Sequence, residues 1–378
     1  MTEILLTIFF ISVLLIFLGS GIWVAISMVG VSSIGMMLFT TRPVGDAMAT
    51  TIWGASSSWT LTALPLFVWM GEILFRTKLS ENLFEGLSPW MQKLPGGLVH
   101  VNVVGCALFA AISGSSAATV ATVGKMSIPE LRKRKYPESI LLGSLAGSGT
   151  LGLLIPPSII LIIYGVTVQE SIAKLFIAGI VPGIMIALIF MTYVMIWSLI
   201  NKKSMPTFKQ DFSLMEKVRK SGKLIPVILL IVSVIGSIYT GIATATEAAS
   251  LGVVGALILS YFQKSLSLRT FKESLLGATK TSCMIAFILA GATFLSLAMG
   301  FTGLPRNLAL WIEGMELSPY VLIFVLMIFY IILGMFLDGI SAVVLTMAII
   351  EPMIRQAGFD MIWFGVFLVI VVEMAQIT

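Results

Sequence analysis

The chain has 378 residues, 58% of them hydrophobic and 11% charged, with a mean hydropathy of +1.06. Soluble domains carry about 25% charged residues, so the composition excludes a water-soluble globule and leaves a membrane domain throughout, with no soluble domain attached. The net charge of +5 then reads as a topology signal and not as a nucleic-acid surface. One histidine, His100, and two cysteines in separate apolar segments, Cys106 and Cys283, exclude a histidine-based metal site and a redox pair.

A transmembrane helix needs about 20 mostly apolar residues, and runs of that size recur along the chain. In the first half they fall at 4–19, 21–40 and 52–76. No basic residue precedes Ile4, so the first run reads as a retained helix turning near Gly19-Ser20-Gly21 and not as a signal peptide. An amphipathic stretch follows at 78–95, then an apolar run at 97–131, then spans at 139–165 and 171–200. The polar stretch 201–223 carries Lys202, Lys203, Lys209, Lys217, Arg219, Lys220 and Lys223. The positive-inside rule makes it a cytoplasmic loop and puts Arg76/Lys78/Lys93, Lys125/Arg132/Lys133/Arg134/Lys135 and Lys264/Arg269/Lys272 on the same side. The N-terminus is then periplasmic. The second half reads 224–241, 246–262 and 271–300, an amphipathic stretch at 302–317, a hairpin-length run at 319–354 and a span from 360.

Two features turn this list into an architecture. The run between Lys93 and Lys125 is apolar although both flanks belong in the cytoplasm, and roughly 30 residues cannot make two full spans, which need about 40. A re-entrant hairpin turning at Ser113-Gly114-Ser115-Ser116 satisfies both constraints. Corresponding elements of the halves (residues 1–200 and 224–378) are also offset by roughly 219 to 225 residues, with Ile128-Pro129-Glu130 matched by Ile350-Glu351-Pro352. Counted from the cytoplasmic loop, the halves have opposite orientation. The expected fold is therefore an all-α polytopic membrane protein of two inverted repeats, each with a re-entrant hairpin and a broken helix. Thr378 falls opposite Ile155, just before Pro156-Pro157, so the natural chain is expected to continue with a proline pair and a further helix matching 156–200.

The breaks are the candidate sites. Within 146–158, Gly147, Gly149 and Gly152 weaken the helix and Pro156-Pro157 interrupts it. Freed carbonyl oxygens and hydroxyls suit sodium, and half-helix N-termini suit carboxylates. A first sodium site is expected from Ser113, Gly114, Ser115 and Ser116 with Gly149 and Thr150. Symmetry places a second at Asp338, Gly339 and Ser341 with Ile377 and Thr378. Ser116, Thr119, Pro157 and Tyr164 are candidate substrate contacts. Asp338 is expected either to ligate sodium or to hold the second tip together, since a carboxylate at membrane depth is costly and usually functional. Glu72, Glu247 and Glu373 read as acids near span ends or paired with Lys280, and Gly105, Gly143 and Gly152 as close-packing positions.

Several stretches together resemble a known family: Ala63-Leu-Pro-Leu-Phe-Val-Trp-Met-Gly71, Phe109-Ala-Ala-Ile-Ser-Gly-Ser-Ser-Ala-Ala-Thr119, Leu154-Ile-Pro-Pro-Ser158, Thr246-Glu-Ala-Ala249 and Leu333-Gly-Met-Phe-Leu-Asp338. They are similar to signatures of the large membrane subunit of TRAP (tripartite ATP-independent periplasmic) transporters, within the ion transporter superfamily. The resemblance covers essentially the whole chain. It implies a sodium-driven importer of organic acids in a bacterial or archaeal inner membrane, a small four-helix membrane subunit as partner, and a periplasmic substrate-binding protein. It further implies an elevator in which a transport domain carrying both hairpins moves against a scaffold, with 78–95 and 302–317 as the linking arms. No cofactor is implied beyond the coupling ion.

Rival classes fare worse. An intramembrane enzyme lacks parts: Asp338 has no evident second aspartate at depth, and a serine nucleophile in the Gly-Ser-Ser tip has no base, since His100 is not placed near it by sequence. A passive channel does not need two hairpins and broken helices. The nearest alternative is a stand-alone sodium/dicarboxylate carrier of a related inverted-repeat family, working without a binding protein.

Overall fold

The computed structural model describes the chain except residues 1, 78, 207–211, 304–313, 315–317, 336 and 378. The described residues are helical, with no strand among them. Apolar α1 (Thr2–Gly19) and α2 (Val24–Phe39) turn at Gly21, whose φ of +79° favours glycine. The segment expected as one span at 52–76 is instead two helices, α3 (Val44–Ser56) and α4 (Ala63–Phe75), joined by a 3-10 turn at Trp59–Thr62 and bent by 53°. Three consecutive serines, Ser56-Ser57-Ser58, lie at the bend. Serine competes with the helix ladder for local backbone bonds, and Ser57 turns its hydroxyl back to the Gly54 carbonyl.

Next come α5 (Leu79–Met91), α6 (Val99–Ser113), α7 (Ser116–Lys133), α8 (Glu138–Gly149), α9 (Ile159–Thr167) and α10 (Ile172–Ile200). The basic stretch forms a short helix α11 (Leu214–Ser221), and then come α12 (Ile225–Tyr239), α13 (Ala245–Phe262) and α14 (Leu268–Thr302). The chain ends with α15 (Pro319–Gly334), α16 (Gly339–Gln356) and α17 (Met361–Ile377). Most of the second amphipathic stretch, 302–317, lies outside the described residues. Among the described residues four helices, α10, α13, α14 and α16, are long and apolar enough to cross a membrane, or up to six if each bent pair is one span.

Packing pairs the two halves reciprocally. Helix α2 lies on α14, and α13 lies on α4. A Cβ on Gly291 would stand 2.8 Å from the Ala25 carbonyl oxygen, and one on Gly252 would stand 2.4 Å from the Met70 sulfur. In lipid, where apolar burial drives association weakly, such small residues let backbones approach and gain dispersion contacts. Helices α6 and α7 pack on α8, while α15 and α16 pack on α17.

Helix α11 is clasped to α5. The Trp90 indole donates to Ser221 Oγ at 2.7 Å, the Lys217 ammonium lies 5.3 Å from the Trp90 ring centroid, Lys223 pairs with Glu85, and Leu224 packs over Gly86. The basic segment thus braces the first amphipathic helix.

Candidate functional site

Residues 97–131 form two helices whose junction is Gly114-Ser115. Gly114 adopts φ +61°, which ends α6 in a left-handed cap, and Ser115 caps α7 by accepting from the Ala118 N–H. At 15 residues, α6 is about 22 Å long, short of the roughly 30 Å hydrocarbon core.

The break lies opposite this turn. Helix α8 ends at Gly149, tightens into a 3-10 turn at Thr150–Leu153, and passes through Pro156-Pro157 before α9 starts. Ser158 caps α9: its oxygen accepts from the Leu161 N–H at 3.2 Å while its hydroxyl donates to the Leu153 carbonyl. That carbonyl belongs to the broken turn, so one serine satisfies groups on both sides of the gap.

Tip and break touch through backbone. The Ile159 N–H donates to the Gly114 carbonyl at 3.3 Å. A Cβ on Gly114 would lie 2.5 Å from the Pro157 carbonyl oxygen, and one on Gly152 would lie 2.7 Å from the Ser115 carbonyl oxygen and 2.8 Å from Thr119 Oγ1. Gly149 takes the Val120 side chain against its backbone, and Gly71 on α4 backs the turn, its Cβ position 3.1 Å from Ser113 Cα. The structure therefore brings Ser113–Ser115 together with the Gly149–Gly152 segment.

The oxygens at this junction are clustered. Thr119 Oγ1 donates to the Ser115 carbonyl at 2.7 Å and lies 3.0 Å from Ser113 Oγ, which reaches the same carbonyl at 3.3 Å. Thr150 Oγ1 donates to the Gly147 carbonyl at 2.8 Å. Ser113, Thr119 and Thr150 are buried, whereas Ser116 is half-buried.

The second tip has the same layout with different chemistry. Asp338 holds the place of Ser115 as the cap of α16, its carboxylate accepting from the Ser341 N–H at 3.1 Å, and it is exposed. The carboxylate expected at depth thus serves here as the cap of α16. A Cβ on Gly339 would meet Val372 at 2.7 Å, Gln376 Nε2 at 3.1 Å and Ile160 at 3.1 Å. Gly339 therefore sits against α17 one residue before Ile377, which is exposed; Thr378 lies outside the described residues. Ser341 is buried, with its hydroxyl unpartnered among the described residues.

One short segment meets both tips. Gly114 packs on Pro157 and Ile159, and Gly339 packs on Ile160. The start of α9, Pro157–Ile160, is sandwiched between the turns of the two hairpins.

Some expected residues lie elsewhere. Tyr164 is fully buried and its hydroxyl donates to the Met361 carbonyl at 2.7 Å, so it ties α9 to the start of α17. Pro157 is likewise buried, which leaves Ser116 as the accessible member of the four expected substrate contacts. Glu72 pairs with Arg76 at 3.0 Å and not with Lys280, and Glu247 completes a capping box with Thr244. Glu373 departs from the expectation for a span-end acid: it is buried in α17 and its Oε1 has no partner among the described residues. Gly143 has open space where a Cβ would go, while Gly152 is the close approach to the tip and not simply a helix-packing position. His100 lies thirteen residues before Ser113 on α6, about 20 Å along the axis, with Nε2 on the Pro95 carbonyl.

The roles of Gly71, Val120, Ile159 and Ile160 were not foreseen. Gly71 closes the first of the quoted motifs, which could have singled it out; the other three are apolar residues inside apolar runs and carry no signal of their own.

Comparison with known proteins gives the family of the chain. Residues 10–378 match the family described as tripartite ATP-independent periplasmic transporter, DctM component. The C4-dicarboxylate TRAP transporter large permease protein DctM of Pseudomonas aeruginosa is 32% identical over 91% of this chain and 80% of its own length. Its namesake from Rhodobacter capsulatus is 31% identical over 97% and 87%. The sialic acid TRAP transporter large permease protein SiaM of Vibrio cholerae is 29% identical over 92% and 81%. Among solved structures, the YdaH transporter of Alcanivorax borkumensis superimposes with a TM-score of 0.60 at 11% identity, covering 96% of this chain and 86% of that one, a likeness of fold alone. The chain belongs to the DctM family of TRAP transporter large permeases: it is a multi-pass membrane transporter component and not an enzyme.

Proposed function

We propose that this chain is the transmembrane carrier of a sodium-coupled importer for a small organic carboxylate, working by an elevator motion between two inverted repeats. The observation that carries the reading is the sandwich of Pro157–Ile160 between the two hairpin turns. It gathers hydroxyls, carbonyl oxygens and a half-helix N-terminus at one place, the chemistry a cation and an anion need side by side. Ser113, Ser115 and Thr119 with the Gly149-Thr150 turn would hold one sodium; Gly339 and Ser341 with the end of α17 would hold a second. The N-terminal side of α9 and Ser116 would face the carboxylate. The reciprocal packing of α2 on α14 and α13 on α4 supports paired repeats; in this reading these helices would be the scaffold, and the hairpins with α8, α9 and α17 the moving part.

Coupling follows from differential stability. Sodium at a tip joins hairpin to broken helix and completes the carboxylate site, and the fully loaded carrier crosses more readily than the carrier with sodium alone. C4-dicarboxylates and sialic acid are the substrates named for relatives, and both present a carboxylate. A small four-helix membrane subunit and a periplasmic binding protein complete the system; one relative is named as a permease DctMQ, which suggests the two membrane components fused. The membrane is the inner membrane, with the N-terminus periplasmic.

The test is uptake of labelled organic acids into proteoliposomes holding this chain and its small partner, under an inward sodium gradient, with and without the binding protein. Uptake requiring both is the expected result. Sodium-driven uptake without the soluble protein would make this a stand-alone carrier, and flux indifferent to both would sink the coupled mechanism.

A further inference from the structure

At the end of the chain's basic face lies a cavity of ≈ 430 Å³ that the transport reading does not use. Three elements form it: the end of α5 with Lys93 and Gln92, the mouth of the first hairpin with Gly96, Arg134 and Tyr136, and the end of α10 with Ser198 and Lys202. Its lining holds three cations and no acid. Arg134 is partly neutralised by Glu130 at 2.7 Å, but Lys93 and Lys202 are exposed and have no ion pair among the described residues. The left-handed Gly96-Gly97 turn and the Tyr136 hydroxyl, which accepts from the Leu98 N–H at 3.1 Å, fix the wall.

A second observation indicates what kind of anion belongs there. From this cavity an apolar stripe runs along the outer face of α10 through Leu199, Ile196, Ile189 and Met185, each about half exposed. A free phosphate has no use for such a stripe. A molecule with a phosphate at one end and hydrocarbon at the other matches both features, and the positive-inside rule puts the cavity at the level of the cytoplasmic headgroups.

We propose that this cavity is a binding site for an anionic phospholipid, its phosphate between Lys93, Arg134 and Lys202 and its acyl chains along α10. Since the amphipathic helix, the hairpin and α10 each supply part of the wall, the lipid joins the three elements in their present arrangement.

The test titrates the detergent-purified chain with phosphatidylglycerol, phosphatidylcholine or inorganic phosphate and follows thermal melting together with native mass spectrometry. Phosphatidylglycerol should raise the melting temperature and remain bound as a discrete adduct, where phosphatidylcholine and inorganic phosphate do not. A lysine near the membrane surface contributes about fivefold to binding an anionic lipid, so Lys93→Gln with Lys202→Gln should weaken it about 25-fold, against little change for the control pair Lys264→Gln with Lys272→Gln. Three results would overturn the site: equal stabilisation by both lipids, an equal loss in the control pair, or reproduction of the shift by inorganic phosphate alone. Both double variants alter exposed surface lysines, and a melting curve without lipid checks that they fold. The assay measures binding only, so its failure leaves the transport reading where it stood.

Discussion

Replacing Gly152 by alanine isolates the contact between the first hairpin and the broken helix. Gly152 has a backbone conformation any residue can adopt, so the substitution adds a methyl without backbone strain. That methyl would stand 2.7 Å from the Ser115 carbonyl oxygen and 2.8 Å from Thr119 Oγ1, where ordinary contact begins near 3.4 Å. The tip must therefore retreat by about 0.7 Å, carrying two of the proposed sodium oxygens with it. Overpacking of this kind costs about 1–3 kcal/mol. If that cost falls on the sodium-bound arrangement, half-saturation by sodium rises about five- to 150-fold. The assay is sodium-titrated uptake in proteoliposomes, with melting temperature measured alongside. Gly143→Ala is the control, because nothing lies within 4 Å of its added methyl; it should leave sodium dependence unchanged and gain up to about 1 kcal/mol of helix stability. Wild-type sodium dependence in Gly152→Ala, with unchanged melting, would refute the idea that tip and break must close to bind sodium.

Thr119→Val keeps the shape but removes the hydroxyl that bonds both Ser113 and the Ser115 carbonyl; a loss of about 1.4 kcal/mol would raise the sodium requirement about tenfold, read in the same titration. Asp338→Asn should retain uptake because asparagine caps a helix as well as aspartate, whereas Asp338→Ala should lower stability by about 1 kcal/mol in thermal melting. Loss of uptake in the asparagine variant would instead assign the charge to ion binding. Tyr164→Phe removes the hydroxyl that bonds the Met361 carbonyl and should cost about 0.5–1.5 kcal/mol in melting with the substrate half-saturation unmoved; a shift in substrate half-saturation at unchanged stability would return Tyr164 to the site.

The turns of this structure were legible because they are written in residues with few alternatives. Gly114 is the residue for a left-handed cap, Ser115 is a helix cap, and the glycines end α8 at Gly149 while the paired prolines keep helix from resuming until α9. The bend between α3 and α4 escaped notice because three serines end a helix more quietly than a proline does. Which carbonyl each glycine would meet is a tertiary fact: nothing local to Gly114 names Pro157, forty-odd residues on. Tyr164 misled for a related reason. Its position a turn past the break suits a ligand contact, but its hydroxyl finds the Met361 carbonyl from the other half of the chain. Glu373 remains at odds with a simple packing account, since its Oε1 is buried without a partner among the described residues.

The crossed packing of α2 on α14 and α13 on α4 bears on how the protein is made. When the ribosome has finished α2 (Val24–Phe39), its partner α14 (Leu268–Thr302) does not yet exist. At 5–20 residues per second the wait is roughly ten to fifty seconds. During that time Ala25 and Met28, which later lie against Gly291, face lipid or the insertion machinery. The first half thus enters the bilayer with its best contacts unmade, and assembly completes only as the second half arrives. Two halves synthesised as separate chains would carry the same complementary faces and need only meet in the plane of the membrane.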